Sequence, residues 1–258
     1  MSSHERAHHD EANNVTYQRC QFAYVFAKPF IKGKKVLDVG CGNAYGTSLM
    51  AESAAEITGL DYDAATIDQN RKQYSSIVNL RFERAVIPPL PLPDQSFDVI
   101  TSFQFIEHIH PRAEFIRECL RVLKPGGKLL ITTPNNKMSL ARNPFHVHEY
   151  TFDEMKKEVG TMTNAFELQG LNGNDRVNKY YEENGKFVRM ILKWDFFKLH
   201  QRLPSAWLTK PYNLVTNLMR SKLKEKVTQT TDIGVNDFHL QTNDLDRCWD
   251  IYLIATKA

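Results

Sequence analysis

The 258-residue sequence predicts an α/β fold, a mostly parallel sheet covered by helices on both faces. Three observations carry this. Strand-length apolar runs alternate with helical patterns over about 100 residues from Lys35 onward. Two glycines follow the first run directly. Proline and glycine clusters then punctuate the later units.

The elements follow in order. A helix around Tyr17–Ala27 precedes the first strand, Lys35–Val39 (KVLDV), which ends at Gly40. Gly46–Ser53 has helical composition, Glu56–Leu60 (EITGL) is the second strand, and a helix runs from Ala64 to Tyr74. Asn79–Arg84 (NLRFER) alternates as a strand does. Ile87–Pro93 (IPPLPLP) forms no regular element, because its prolines lack backbone donors. Phe97–Phe103 is the fourth strand. Arg112–Leu123 is a helix, with Phe115, Ile116, Cys119, Leu120 and Leu123 at helical spacing. Pro125-Gly126-Gly127 turns the chain into the fifth strand, Lys128–Thr132. Thr163–Leu171 and Cys248–Thr256 read as the sixth and last strands.

Composition narrows the function classes. The hydrophobic fraction of 42% and charged fraction of 24% are globular values. Lys and Arg exceed Asp and Glu by 33 − 30 = 3, too small an excess for a nucleic-acid packaging protein. No apolar run approaches the roughly 18–20 residues that span a bilayer. The opening MSSHERAHHDEANN is polar, so no secretory signal is expected there. Cys20, Cys41, Cys119 and Cys248 lack CxxC spacing, which fits a reducing, cytoplasmic location.

The chemistry begins at Asp38-Val39-Gly40-Cys41-Gly42-Asn43-Ala44-Tyr45-Gly46. Glycines just past a strand let backbone approach a ligand closely, or simply make a tight turn. The spacing GxGxxxG is one residue longer than the dinucleotide fingerprint. Asp38 would repel a pyrophosphate and favour a sulfonium or ammonium group. These two features count against a nicotinamide oxidoreductase. Asp61, about 20 residues beyond the glycines, can accept both hydroxyls of a ribose, while Asp63 is better placed to cap the helix from Ala64. Asp61 is thus left for a nucleoside.

With VLDVGCGNAYG, ITGLDYD, LPLPDQSFDVITSFQFIEHI and LRVLKPGGKLLITTPN in this order, the sequence resembles the class I S-adenosylmethionine-dependent methyltransferases from about residue 35 to 135. The resemblance implies a Rossmann-like seven-stranded sheet, its last strand antiparallel, with S-adenosyl-L-methionine as cofactor. It places Asp38 near the methionine amino group, with Gly40, Gly42 and Asn43 beside the methionine portion. Asp61 would hold the ribose, and Tyr62 would pack on the adenine. Phe103 and Gln104 would border the methionine end, and Ile106-Glu107-His108 is similar to the family's LEH segment. Many relatives carry an acid after the third strand. Here Ala85 and Val86 stand in that region, so backbone and apolar packing must serve the adenine. The nucleic-acid amino methyltransferases carry Asn/Asp-Pro-Pro-Tyr after the fourth strand, where this chain reads SFQF. No cysteine of the cytosine C5 type lies there, and no catechol-type magnesium set is recognisable.

A hydroxyl acceptor needs its proton taken as the methyl bond forms. The richest stretch for that is Asn143-Pro144-Phe145-His146-Val147-His148-Glu149-Tyr150, past the fifth strand. HVHEY is similar to a segment of many bacterial methyltransferases near surface-polysaccharide biosynthesis. His146 or His148 is the expected general base, with Glu149 orienting one of them. His108 is a further candidate, and His110 stands beside it. A support role is the competing reading, since Thr151-Phe152-Asp153-Glu154 opens a helix as a capping box. HVH also has the alternation of a metal pair. With no third ligand evident, no metal is expected.

Residues 1–33 are expected to form an N-terminal segment and helix over the cleft, and 34–258 the methyltransferase domain. A helical insertion at 175–245 separates strands six and seven as a substrate lid. It contains amphipathic Val188–Leu203 and a second helical stretch at Tyr212–Val227. From Arg176 to Lys226 there are 12 Lys/Arg against 4 Asp/Glu. Such a face suits an anionic acceptor, or peripheral contact with an anionic membrane through Trp194, Phe196, Phe197 and Trp207. It equally suits a soluble added subdomain. The expected function is O-methylation of a small-molecule or carrier-linked saccharide, with no nucleic-acid partner. A quinone or polyprenyl-type acceptor and a non-catalytic S-adenosylmethionine-binding protein are the alternatives.

Overall fold

The structure, a computed structural model, describes residues 14–193, 204, 207–210, 212, 214 and 232–258. Helix α1 (Asn14–Ile31) leads into alternating strands and helices: β1 (Lys35–Val39), α2 (Tyr45–Ala51), β2 (Glu56–Asp61), α3 (Ala64–Gln73), β3 (Leu80–Arg84) and β4 (Phe97–Phe103). Then come α4 (Arg112–Val122), β5 (Leu123–Pro134), α5 (Phe152–Gly160), β6 (Phe166–Gly173), α6 (Asp175–Leu192), β7 (Phe238–Gln241) and β8 (Asp250–Thr256).

The strands form one sheet in the order β3-β2-β1-β4-β5-β8-β6-β7. From β3 to β5 every pairing is parallel. The last strand, β8, runs antiparallel to both β5 and β6, as expected. The sheet has eight strands, not seven. The additional β7 pairs antiparallel with β6 at the edge, Gly170–Gly173 against Phe238–Gln241. It lies within 175–245, a segment read as helical. Four residues, FHLQ, carry too little alternation to stand out, and the pairing that makes them a strand comes from β6.

Every central strand is buried on both faces, which explains the near-continuous apolar runs. Successive residues serve opposite faces. Leu37, Ile100, Leu129 and Leu253 pack with Phe115, Ile116 and Met155 of α4 and α5. Val36, Val99, Leu130 and Tyr252 pack with Ala23, Ala27, Ile31, Met50 and Ile67 of α1, α2 and α3. Asp63 caps α3 by accepting the Ala65 N–H at 3.2 Å. Thr151 and Glu154 form the capping box of α5, with Thr151 N–H donating to Glu154 Oε2 at 2.8 Å and Glu154 N–H donating to Thr151 Oγ1 at 3.2 Å. Helix α6 begins at Asp175, well before the amphipathic stretch from Val188, and is started by Asn174, whose side chain accepts the Arg176 and Val177 N–H groups. Trp194, Phe196, Phe197 and most of Tyr212–Val227 lie outside the described residues. Trp207 is described and exposed.

Phe115 is fully buried between α4 and the sheet, with its ring 5.5 Å from that of Phe105. Phe115→Ala should lower the unfolding free energy by about 3–5 kcal/mol, read from denaturant midpoints at unchanged slope. An unchanged midpoint would contradict this packing.

Candidate active site

Strand order reverses at β1, which lies between β2 and β4, and in sheets of this kind a ligand binds by the loops that leave the carboxyl ends of such strands, here β1 and β4. Gly40 and Gly42 there adopt left-handed backbone, φ +79° and +52°. Their reasons differ. A Cβ on Gly40 would lie 2.3 Å from the Phe105 ring, so this glycine lets the turn after β4 pack down on the loop. A Cβ on Gly42 would meet nothing within 4 Å, so its edge is open to a ligand. Gly46, the third glycine, makes room for Tyr24 of α1.

Two buried acids support this loop. Asp38 is 1% exposed and accepts the hydroxyls of Thr47 at 2.6 Å and Thr101 at 2.8 Å. Burial pushes its carboxyl up to about 6 against the pull of those hydroxyls. Its charge therefore acts from beneath the loop. Asp61 is not left open as the sequence suggested. It accepts the Gly42 N–H on Oδ2 and the Asp63 N–H on Oδ1, both at 3.0 Å. A carboxylate oxygen has two acceptor sites, so one on each remains for a ribose. The loop carbonyls turn toward α3. Asn70 donates to Gly42 O at 2.7 Å and the Tyr74 hydroxyl to Asn43 O at 3.2 Å. Sequence reasoning passed over Asn70 and Tyr74, which carry no motif.

Tyr62 and Val86 follow the ends of β2 and β3, which pair as Asp61↔Arg84. Both are exposed, 43% and 70%, and offer apolar surface where a flat base can stack. Ala85 is buried and donates its N–H to the Asp61 carbonyl at 3.0 Å. Phe103 turns into the core, its ring 4.9 Å from Tyr24 and 5.9 Å from Tyr252. Gln104 has left-handed φ, +53°, and donates its N–H to Thr132 O at 2.9 Å. Tyr24 is core. Tyr17 lies half-buried with its ring 5.0 Å from Tyr45. The open Gly42 edge, the remaining acceptor sites of Asp61 and the Tyr62–Val86 pair together fit a cationic nucleoside.

The turn after β4 and the loop after β5 meet at the same end of the sheet. The Glu107 carbonyl accepts the Val147 N–H at 2.7 Å. Glu107 itself is 1% exposed and accepts the Thr133 hydroxyl at 3.0 Å. Burial pushes its carboxyl up to about 7. His108 Nδ1 lies 3.1 Å from the Phe145 carbonyl, which only accepts, so this nitrogen carries the proton. Its Nε2 lone pair then faces Glu107 Oε1 at 3.8 Å. Burial, then the neighbouring His146, lowers His108 to about 4. His146 Nδ1 donates to Glu149 Oε1 at 2.6 Å, and its Nε2 accepts from the Asn143 amide at 2.9 Å. Burial would raise Glu149, but hydrogen bonds from His146 and Ser139 hold it below the usual carboxylate range.

One ligand atom each from Glu107, His108 and His146 lie within 4.8 Å of one another. Only His146 of HVH takes part, and its two partners, Glu107 and His108, come from the turn after β4. His148 points elsewhere, 3.7 Å from Glu154 with its ring against Tyr150. His110 is exposed. A cavity of about 440 Å³ opens on Asn143, His146, His148 and Glu149. Among the described residues no helix is long and apolar enough to cross a membrane.

Residues 37–131 match a family described as a methyltransferase domain. A "probable S-adenosylmethionine-dependent methyltransferase" of Mycolicibacterium smegmatis is 39% identical over 165 residues, 62% of this chain and 62% of the relative. A ubiquinone biosynthesis O-methyltransferase of Coxiella burnetii is 32% identical over 136 residues, 52% of this chain and 58% of the relative. Both matches span less than two thirds of the relative's own length. The crystal structure of an S-adenosylmethionine-dependent methyltransferase from Aquifex aeolicus matches with a TM-score of 0.51 at 17% identity, covering 64% of this chain and 93% of that one. The Mycolicibacterium smegmatis relative and the Aquifex aeolicus structure are both named for S-adenosylmethionine. Residues 37–131 thus match a methyltransferase-domain family, and the chain has the fold of the class I methyltransferases.

Proposed function

We propose that this chain transfers the methyl group of S-adenosyl-L-methionine to a hydroxyl oxygen of a small or carrier-linked, saccharide-type acceptor. The observation that carries this is the group of buried Glu107 with half-buried His108 and His146, backed by Glu149, beside the open glycine edge at the same end of the sheet. A hydroxyl must lose its proton as the bond forms, and an imidazole oriented by a carboxylate is suited to take it.

The cofactor supplies an activated methyl group on a sulfonium. The chain's own residues bind, orient and exclude water. Gly42 and Asn43 pass backbone beside the methionine portion, and Asp38 attracts its positive charge from below. Asp61 accepts the ribose hydroxyls, while Tyr62, Ala85 and Val86 form the apolar base site. Gln104 and the Phe103 backbone border the methionine end. His146, held by Glu149, receives the acceptor proton at Nε2 when the Asn143 amide moves off it. His108 and His148 flank it.

The segment 175–245 serves as an acceptor lid in this reading. A Cβ at Gly185 of α6 would lie 3.0 Å from Leu140, and Tyr212 sets its ring 6.2 Å from Phe145. The lid therefore borders the loop that carries His146. Its basic residues favour an anionic acceptor. The Coxiella burnetii relative favours a second reading, a quinone or polyprenyl-type acceptor. Mass spectrometry of metabolite extract incubated with isotopically labelled donor decides between them by the mass of the labelled product. No label transfer from any extract would favour a non-catalytic binding protein.

Asp61→Ala should weaken donor binding by about 10-fold or more by calorimetry, as loss of hydrogen bonds to a charged group implies. Unchanged affinity would remove the ribose assignment. His146→Ala should lower kcat by about 10²–10⁴-fold with donor Kd unchanged. A full-rate variant would sink the base role. Asp38 gives a pH dependence. Burial makes the folded chain hold this proton more tightly than the unfolded chain. Its contribution to stability is therefore full below the unfolded value and is lost as pH rises through about 6. Donor binding runs the other way, because a cation favours the ionised form. Donor affinity should rise by about 10-fold as pH passes from 5 to 7 and flatten in Asp38→Asn. An equal slope in both proteins would disprove the link.

A further inference from the structure

Two imidazole lone pairs and a carboxylate converge beside the acceptor cavity. The partners behind them occupy one nitrogen of each ring. The Phe145 carbonyl takes the His108 Nδ1 proton and Glu149 takes that of His146, so each ring presents Nε2. The Thr133 hydroxyl holds Glu107 Oε2, leaving Oε1 toward His108 Nε2 at 3.8 Å. A metal-bound histidine likewise gives its second nitrogen to a carboxylate or carbonyl. The His108 and His146 rings stand at 82° with centroids 4.8 Å apart.

We propose that Glu107, His108 and His146 bind one divalent transition-metal ion, and that this ion holds the acceptor oxygen. Two imidazoles and one carboxylate suit zinc, cobalt, iron or manganese better than magnesium or calcium. Such an ion bonds at about 2.0–2.2 Å, which spaces its ligands about 3–3.5 Å apart. The three ligand atoms, now within 4.8 Å, reach that spacing by an inward shift of about 1 Å. The ion replaces the Asn143 amide at His146 Nε2. Three protein ligands leave a coordination position for the acceptor, facing the cavity that His146 lines.

This inference rests on the proposed methyl transfer for its purpose, and it changes how the cluster acts. The ion acidifies the bound hydroxyl, whose proton passes to water. The oxygen's electron pair forms the O–CH3 bond. The S–CH3 bond breaks with its pair returning to sulfur, and S-adenosylhomocysteine leaves.

The test is cobalt titration of the full-length, metal-free chain without donor or acceptor, read by visible d–d absorption and by equilibrium dialysis. One equivalent should bind, be displaced by zinc, and bind at least about 10-fold more weakly in Glu107→Gln and in His108→Gln. The sequence also carries His4, His8 and His9 near its start, so a His4, His8 and His9→Ala variant must keep the site. Thermal unfolding without metal checks that the variants fold. Absent binding, binding unaffected by both cluster substitutions, or binding lost with the three N-terminal histidines overturns the proposal. Full methyl transfer in chelator, abolished by His146→Ala, also overturns it while leaving the direct-base reading intact. Cobalt bound at the cluster, with His108→Gln transferring methyl at full rate, keeps the metal site and removes the cluster from the reaction.

Discussion

The carboxylate of Asp61 is the tie on which the donor side depends. It sits at the end of β2 and holds the Gly42 N–H of the loop after β1 and the Asp63 N–H at the start of α3. Its own carbonyl takes the Ala85 N–H leaving β3. One buried residue thus fixes three consecutive chain exits. The Leu60 carbonyl beside it accepts the Gly40 and Cys41 N–H groups at 2.8 and 2.9 Å, completing the turn. A charge-assisted hydrogen bond is about twice as strong as a neutral one, so an acid at this place stabilises the loop as well as offering acceptors to a ligand. The same carboxylate shapes the loop and, in the proposed reaction, holds the donor.

The parallel half of the sheet was legible because its signals are local. β1 and β4 fall at their expected limits, and Asp63 and Thr151 cap the helices that their side chains suit. The glycine loop was legible as a motif but not in its division of labour. Nothing in the spacing says that Gly40 makes way for Phe105 while Gly42 faces open space. Phe103 reads as a cleft residue by position, yet its ring is held in the core by Tyr24 and Tyr252, which arrive from α1 and β8.

What the sequence withheld is non-local. β7 becomes a strand only because β6 lends it an edge. His146 finds Glu107 and His108 across nearly forty residues, through the Val147 N–H bond to the Glu107 carbonyl. HVH suggested that His146 and His148 would share a face. The segment is irregular instead, which sends His148 to Glu154 and leaves His146 with Glu149.

The seat of Phe105 over Gly40 makes the donor loop and the acceptor-side turn one mechanical piece. Phe105 is followed at once by Ile106, Glu107 and His108, so the ring on Gly40 and the two side chains of the cluster lie within three residues of one another. In the proposed reaction, a donor seated on the glycine loop therefore bears on the Phe105 ring, and through it on Glu107 and His108 at the acceptor side.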